Sequence, residues 1–437
     1  MRVGSLKINA IFSGITNFSD TLLFVLMILA ARFLGVNDFG AFTFSLSLAT
    51  VFLTCTNFGV DTLVIRDVAR DRELAARYVG NILYWKSGLS LIAFFALIVT
   101  VFYIIESTRD VRIVTSILGI AVMMKFFTIT WRAFLQALER FDIEALAVVF
   151  EQLVLLIAGT CMLFLEYGLI AFAFAFVFAR TLGCLFTFIL LKKNVHFSVR
   201  FDRRFIVNLQ IEAIPIGIAL LAMTAYLHID TLILSRILTY TEVGLYNSAF
   251  KIYVGLFLFP SILSTVLFPR LSGAYLKNKM EHNGLLVRGI LILFLVSFPI
   301  SIVGMVFSKE IILLVFGEGF ISATTTMQVL FGVTTITFQI WLLRIFLISI
   351  DKQKALMNFN IIVLCARIAF DLLLIPMYGI VGAAIATGAS ELLLFCGIWT
   401  YLLTKHFQLK STSDFVRKAL YIMKFEINED EKSNILR

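Results

Sequence analysis

The sequence contains few charged residues for its length. Asp, Glu, Lys and Arg make up 15% of its 437 residues, whereas an ordinary soluble domain has about 25%. The chain also lacks the phosphate-binding pattern GxxxxGK followed by Ser or Thr, so we expect no ATP-driven step within it. These absences exclude an ordinary soluble enzyme domain and favour a protein that lies in a membrane.

Cysteine and proline are scarce as well. The cysteines lie inside apolar runs without metal-ligand spacing, so neither a disulfide framework nor a metal site is expected. All five prolines lie at or after residue 215. Because a proline inside a helix removes a hydrogen bond and bends the helix, we expect the kinked helices there.

Long apolar runs dominate what remains, and 60% of the residues are hydrophobic. Runs that can cross roughly 30 Å of hydrocarbon recur along the chain and predict about twelve membrane-spanning helices. The first follows Arg2 and Lys7 and is too long for a cleaved signal, so it is expected to stay as a helix. The predicted spans are 8–31, 41–59, 82–105, 112–137, 143–165, 167–191, 211–235, 243–267, 285–307, 325–350, 355–375 and 379–403.

A segment of the first half returns in the second half. Arg236 follows Arg32 by 204 positions, and Gly244 follows Gly40 by the same number. Six predicted spans per half is an even number, so both halves enter from the same side and the repeat is expected to be parallel. The sequence therefore predicts an all-α polytopic membrane protein with two parallel six-helix repeats. Two such repeats are typical of transporters that work by alternating access.

The predicted domains follow from this repeat. An N-terminal six-helix lobe covers 1–195, and a C-terminal six-helix lobe covers 211–403. The polar, basic segment 196–210 is the expected cytoplasmic linker between them. The tail 404–437 mixes charged and apolar residues in a pattern typical of a cytoplasmic amphipathic helix on a membrane surface.

The net charge of +9 is concentrated in alternate loops. The loops on the side of the N-terminus carry most of the loop Lys and Arg residues, and the opposite loops carry few. This positive-inside pattern predicts a cytoplasmic membrane protein with both termini in the cytoplasm. The basic excess is therefore explained by topology and by anionic membrane lipids, and no nucleic-acid partner is expected.

Ionisable residues inside the spans are the best candidates for a functional site, because each costs roughly 2.5–3.5 kcal/mol at a helix centre. A cavity lined with such cations would suit an anionic substrate, since Lys and Arg pair strongly with anionic oxygens such as those of phosphate. The candidate substrate-binding cations are Lys86, Lys125, Arg180, Lys251, Arg344 and Arg367. The candidate residues for gating or ion coupling are Asp20, Glu151, Asp371 and Glu391.

Two pairs of opposite charge could meet between the lobes. Arg180 corresponds to Glu391 at the offset of a second, weaker repeat, and Asp20 could pair with Lys251. Arg367 and Asp371 could instead neutralise each other on one helix face. The acidic residues could also bind a coupling Na⁺ or H⁺, and their spacing does not distinguish these roles. No other cofactor is expected.

Three stretches carry a family resemblance. They begin at Ala31-Arg-Phe-Leu-Gly35 with Asp61-Thr-Leu-Val-Ile-Arg66, continue at Gly244-Leu-Tyr-Asn with Phe268-Pro-Arg-Leu-Ser272, and end at Ile375-Pro-x-Tyr-Gly-Ile-Val-Gly382. In this order they resemble the Wzx-like polysaccharide flippases of the multidrug/oligosaccharidyl-lipid/polysaccharide exporter superfamily. The resemblance implies a two-lobed, MATE-like, V-shaped transporter that moves polyprenyl-pyrophosphate-linked oligosaccharide to the outer leaflet. Its implied partners are that substrate, membrane lipids, and the glycan polymerase and glycosyltransferases of the same pathway.

Other functions stay open at this point. A cation-coupled drug antiporter of the same superfamily would favour a small acidic cavity, whereas here the intramembrane charge is at least as cationic as anionic. A lipid II flippase usually has about fourteen spans rather than twelve. A glycan polymerase or glycosyltransferase would need acidic or metal-binding residues on a sizeable outer loop, and the predicted outer loops are short.

Overall fold

A computed structural model describes residues 3–195, 202–277 and 279–407. Within this range, the structure does not describe the side chains of residues 3–21, 265, 276 and 279. The predicted amphipathic tail lies outside the described residues from 408 onward, and the predicted linker does so up to 201.

The described chain is built of helices joined by short connections. Two π-helical turns, Thr100–Ile104 and Leu402–His406, extend α3 and α13, and a 3₁₀ turn, Glu318–Ala323, precedes α12. The helices are α1 Val3–Thr54, α2 Val60–Arg70, α3 Leu74–Val99, α4 Arg109–Ala137, α5 Phe141–Phe164, α6 Gly168–Lys192, α7 Arg203–Ile237, α8 Tyr240–Gly255, α9 Leu258–Lys277, α10 Lys279–Val306, α11 Ser308–Val315, α12 Thr324–Ser349 and α13 Gln353–Tyr401.

Ten helical stretches of the described chain are long and apolar enough to cross a membrane. Two of them, in α1 and α13, belong to helices of 52 and 49 residues, which are far too long for one crossing of about 30 Å. Each is broken by a glycine in the left-handed region, Gly35 with φ 76° and Gly379 with φ 58°. Dividing the stretches of α1 and α13 at these glycines turns the ten apolar stretches into twelve helical segments. The predicted all-α polytopic fold is confirmed.

The chain packs as two compact units. Unit 1 comprises Met1–Ser248 together with Val315–Phe320, and unit 2 comprises Ala249–Leu314 together with Ile321–Arg437. The boundary between the units falls within α8. The preceding helix, α7, belongs to unit 1, where it packs against α1, α2 and α3. The predicted lobe boundaries at 195 and 211 were derived from the sequence repeat, whereas the units are defined by packing. The predicted boundaries therefore stay a prediction.

Unit 1 has its tightest packing between α4 and α6, and α1 and α5 form a second extensive contact. A buried cluster at the ends of α2, α3, α4, α6 and α7 includes Leu63, Tyr78, Trp131, Phe134 and Leu209. In unit 2, α12 is the central helix and packs against α9, α10 and α13. These two packed regions hold the ionisable side chains described below.

The repeated segment forms a close contact between α1 and α8 inside unit 1. A Cβ atom on Gly40 would overlap the carbonyl oxygen of Tyr240, and one on Gly244 would overlap the carbonyl oxygen of Val36. Thr241 Oγ1 donates to Asn37 Oδ1 over 3.4 Å. Val36, Asn37 and Gly40 are separated from Tyr240, Thr241 and Gly244 by the same 204 positions. We call this arrangement the repeat contact, since repeat-related residues touch each other there.

Candidate functional site

A polar network lies inside unit 1, where α2, α3 and α4 meet. The ammonium group of Lys86 donates to the Phe126 carbonyl oxygen at 2.8 Å and to the Thr130 hydroxyl. Thr130 Oγ1 in turn donates to Asp61 Oδ1 at 2.7 Å. Lys86 Nζ lies 4.0 Å from the same carboxylate oxygen, and it reaches Asn57 Oδ1 at 3.4 Å. The hydroxyl of Thr130 therefore bridges an acid and a base that are both buried.

Arg180 and Glu151 form a buried ion pair between α6 and α5. A Cβ atom on Gly183 would lie within 3 Å of three Glu151 side-chain atoms, so the absent side chain at 183 makes room for the carboxylate. The described partner of Arg180 is thus a residue of its own unit. The predicted pairing of Arg180 with Glu391 stays a prediction, and Glu391 is buried in α13.

Arg367 is the largest fully buried side chain of the described residues, and it joins the two segments of α13. Its Nη2 donates to Thr387 Oγ1 at 2.7 Å and its Nη1 to Ser390 Oγ at 3.4 Å. Its Nε lies 4.0 Å from Asp371 Oδ2, four residues further along the helix. This geometry agrees with the expectation that Arg367 and Asp371 neutralise each other.

Lys251 and Arg344 are placed differently from Arg367, the other predicted cation of unit 2. Lys251 is half-buried in α8, inside a membrane-spanning stretch. Among the residues that the structure describes, its ammonium group has no hydrogen-bond or ion-pair partner. Arg344 is half-buried in α12, and its Nε has no hydrogen-bond partner within the described chain. Lys251 and Arg344 therefore have hydrogen-bond donors that no described residue accepts from.

The two remaining predicted residues give less information. Lys125 is exposed on α4. Asp20 lies in α1, and its side chain is outside the description, so its predicted pairing with Lys251 stays a prediction. Within the described ranges, no group of three or more His, Cys, Asp and Glu residues is placed to hold a metal ion.

Two ion pairs connect α2 and α3 to α7 and the residue before it. Arg66 Nη1 lies 2.6 Å from Glu212 Oε1, and Arg77 Nη2 lies 2.5 Å from Asp202 Oδ2. Asp202 also caps α7 by accepting from the Phe205 backbone N–H at 3.1 Å. That backbone donor, and secondarily the Arg77 guanidinium, lower the pKa of Asp202. These contacts attach the start of α7 to unit 1.

Sequence reasoning missed several buried polar residues. Asp61 was noted only as part of a family motif, because it falls just beyond the predicted span 41–59. Asp230 is not among the candidate site residues predicted above, yet it is buried in α7 and accepts from the Tyr246 hydroxyl. His282 lies between the predicted spans 243–267 and 285–307, but it is buried in α10 with Nε2 3.0 Å from Ser349 Oγ.

In the part of the chain that the structure describes, ten long apolar helical stretches with ionisable side chains buried inside them define a multi-pass membrane protein with a transporter fold. The fold is similar to that of "Lipid II flippase MurJ, inward closed conformation", with a TM-score of 0.76, 16% identity, and coverage of 95% of this chain and 91% of that one. It is equally similar to an inward-facing multidrug resistance MATE family transporter of the MOP superfamily. There the TM-score is 0.76, with 14% identity and coverage of 90% and 96%. At such identities the likeness concerns the fold alone.

The sequence comparisons give the family. A family model described as "Polysaccharide biosynthesis protein" matches residues 7–274, and a second model, MatE, matches residues 215–373. The chain belongs to the polysaccharide biosynthesis protein family. It is 22% identical over 374 residues to the "Putative O-antigen transporter" of Shigella flexneri, a match that covers 82% of this chain and 87% of that protein.

Proposed function

We propose that the protein is a flippase that moves polyprenyl-pyrophosphate-linked oligosaccharide across the cytoplasmic membrane by alternating access, with both termini in the cytoplasm. The family, and the relative named as a putative O-antigen transporter, support this substrate class. The pathway's glycan polymerase and glycosyltransferases are the proposed partners that act before and after translocation.

The observation that carries the proposal is the state of Lys251. A cation within a membrane span is costly unless it meets a partner or an aqueous cavity. Among the described residues, this ammonium group has no hydrogen-bond or ion-pair partner. A pyrophosphate supplies several strong acceptor oxygens, and its hydrogen bonds to an ammonium group are roughly twice as strong as neutral ones. Arg344 can donate to the pyrophosphate as well, because its Nε has no hydrogen-bond partner within the described chain.

The other predicted cations receive different roles in the proposal. Arg180 and Arg367 already have buried partners, so we propose that they support the helices rather than contact substrate. Lys86 is held in its network, and the exposed Lys125 stays a candidate contact. Na⁺ or H⁺ is the proposed coupling ion, with Asp20, Glu151, Asp371 and Glu391 as its candidate ligands from sequence.

The test is translocation of a fluorescent polyprenyl-pyrophosphate oligosaccharide in liposomes that contain the purified protein. We expect Lys251→Gln to slow translocation about tenfold or more, because one lost charge-assisted hydrogen bond is worth roughly 1.5–3 kcal/mol. Lys309→Gln is the matched control, since Lys309 is an exposed lysine outside the spans of the same unit. Equal rates in Lys251→Gln and wild type would remove Lys251 from the site, and no movement in wild type would reject the flippase.

A cation-coupled drug antiporter is the second candidate, because the MatE model matches residues 215–373. The same liposomes distinguish the two functions. Flux of a small organic cation driven by Na⁺ or H⁺, without movement of the lipid-linked oligosaccharide, would favour the antiporter. A glycan polymerase or glycosyltransferase would instead lengthen the oligosaccharide, which mass spectrometry of the recovered lipid detects.

A further inference from the structure

An apolar cavity of about 400 Å³ lies in unit 1 between α3, α4 and α6. Its volume falls within the roughly 300–1,000 Å³ of small-ligand pockets. Large side chains form much of its lining, among them Met123, Phe127 and Trp131 of α4 and Phe188 of α6. The described residues that line it include no Asp, Glu, Lys or Arg. The cavity is therefore separate from the charged residues considered above, and it suits an apolar ligand.

Small side chains leave this space open. Ser87 and Ser90 of α3 and Cys184 of α6 line the cavity. Because residues three apart lie on the same face of a helix, the two serines leave a strip of α3 without a bulky side chain. Ser90 is buried, and its Oγ has no hydrogen-bond partner within the described chain. The protein thus leaves the space beside this hydroxyl group unfilled.

The cavity is elongated along the helices. Its lining extends from Leu83 to Leu91 on α3 and from Met123 to Trp131 on α4. Each of these stretches advances by eight positions, which is about 12 Å at 1.5 Å per residue. Both helices belong to stretches that can cross a membrane. The long direction of the cavity is therefore also the direction in which lipid chains lie in a bilayer.

The cavity is continuous with the surface that the bilayer surrounds. Leu91 on α3 and Leu185 on α6 line it, although these residues are 64% and 53% exposed. Both lie inside membrane-spanning stretches, where an exposed leucine meets hydrocarbon rather than water. An apolar cavity of about 150 Å³ already stays dry and takes up apolar molecules. A hydrocarbon chain that enters from the bilayer is thus the occupant that this larger space favours.

We propose that one acyl chain of a bilayer phospholipid occupies this cavity as a bound lipid. The chain packs between α3 and the closely packed pair of α4 and α6. It makes the contacts that the small side chains of Ser87, Ser90 and Cys184 do not make, and it stabilises the position of α3 in this way. The proposal requires only the membrane-spanning fold, so it does not depend on which substrate the protein moves.

Trp131 is the reporter for the experiment, because it lines the cavity although it is only 3% exposed. The probe is a vesicle of phosphatidylcholine whose acyl chains carry bromine, which quenches indole fluorescence only at short range. One protein keeps Trp131 alone through Trp85→Phe, Trp341→Phe and Trp399→Phe. A second protein keeps only Trp85, which is 38% exposed on α3 and reports ordinary contact with the bilayer.

We expect the brominated chains to quench Trp131 by a fraction comparable with that of Trp85. Ser90→Leu in the Trp131 protein should reduce this loss of fluorescence, because the larger side chain fills the cavity. Gly88→Leu is the matched control. It adds the same side chain to α3 outside the lining, where a Cβ atom meets no atom within 4 Å, and it should leave the quenching unchanged.

Quenching of Trp85 without quenching of Trp131 overturns the proposal, and so does equal quenching of Trp131 in Ser90→Leu and Gly88→Leu. The comparison of the two single-tryptophan proteins needs no cavity variant, so it decides the question even if Ser90→Leu does not fold. Polyprenyl phosphate without bromine is then added to the same vesicles. Protection of Trp131 but not of Trp85 by this lipid would assign the cavity to an isoprenoid tail and overturn the phospholipid as its occupant.

Discussion

Replacing the partners of the Arg180–Glu151 ion pair tests whether Arg180 serves the fold or the substrate. Both side chains are nearly inaccessible, with 6% and 5% exposed, so the pair falls in the class for which removal of one partner costs about 3–5 kcal/mol. We expect Arg180→Met and Glu151→Met each to lower the free energy of unfolding by that amount. The double variant should lose much less than the sum, because neither buried charge is then left alone.

Methionine suits both positions because it is unbranched, and the space beside Gly183 already contains the Glu151 side chain. The measurement is denaturant unfolding of the four proteins in the same detergent, combined as a double-mutant cycle. Single-variant losses below about 1 kcal/mol, the range of exposed pairs, would refute the reasoning. Normal translocation by the double variant would then assign the pair to the fold, whereas loss of translocation with retained stability would return Arg180 to the substrate pathway.

Three further changes test other parts of the structure. Gly244→Ala should lower the unfolding midpoint, because the new Cβ atom would overlap a carbonyl oxygen of the facing helix. This loss is expected although Ala is the better helix former by about 1 kcal/mol. Gly273→Ala is the control and should not lower the midpoint, since a Cβ atom there meets no atom within 4 Å. Asp202→Ala should lower the unfolding midpoint at neutral pH. Because the folded-state pKa of Asp202 is lowered, its stabilisation is complete above about pH 4 and lost as pH falls further, so wild type and variant should converge under acid conditions. Arg367→Lys should cost about 1–3 kcal/mol in unfolding experiments, since a lysine does not reproduce both hydrogen bonds of the guanidinium; an unchanged free energy of unfolding would contradict the buried role.

Most of the fold was predictable because the length of an apolar run determines whether it crosses a membrane. The predicted boundary between 41–59 and the preceding span lies close to Gly35, and the boundary between 355–375 and 379–403 includes Gly379, where the structure breaks the helices. The packing of α7 into unit 1 was not predictable. It depends on tertiary contacts such as Arg66–Glu212 and Arg77–Asp202, which join residues far apart in sequence.

The site was less predictable than the fold, for a physical reason. A membrane helix is apolar on nearly all faces, so periodicity does not reveal which side of it meets a neighbouring helix. The sequence identified Arg180 and Glu151 as intramembrane charges, but it did not show that they face each other across α5 and α6. Arg367 and Asp371 were easier, because a separation of four residues on one helix fixes their proximity.

The repeat contact has the geometry of a symmetric dimer contained within one polypeptide. In an isologous interface the same patch of each copy faces the other, so that residue i contacts residue j and j contacts i. In a true dimer every substitution is therefore made twice and felt on both sides. Joining the two copies in one chain removes that constraint, and each side can then diverge separately. Val36 and Tyr240 have done so, as have Asn37 and Thr241, whereas Gly40 and Gly244 are still identical. At that pair, the two main chains approach too closely for either residue to acquire a side chain without moving the other helix.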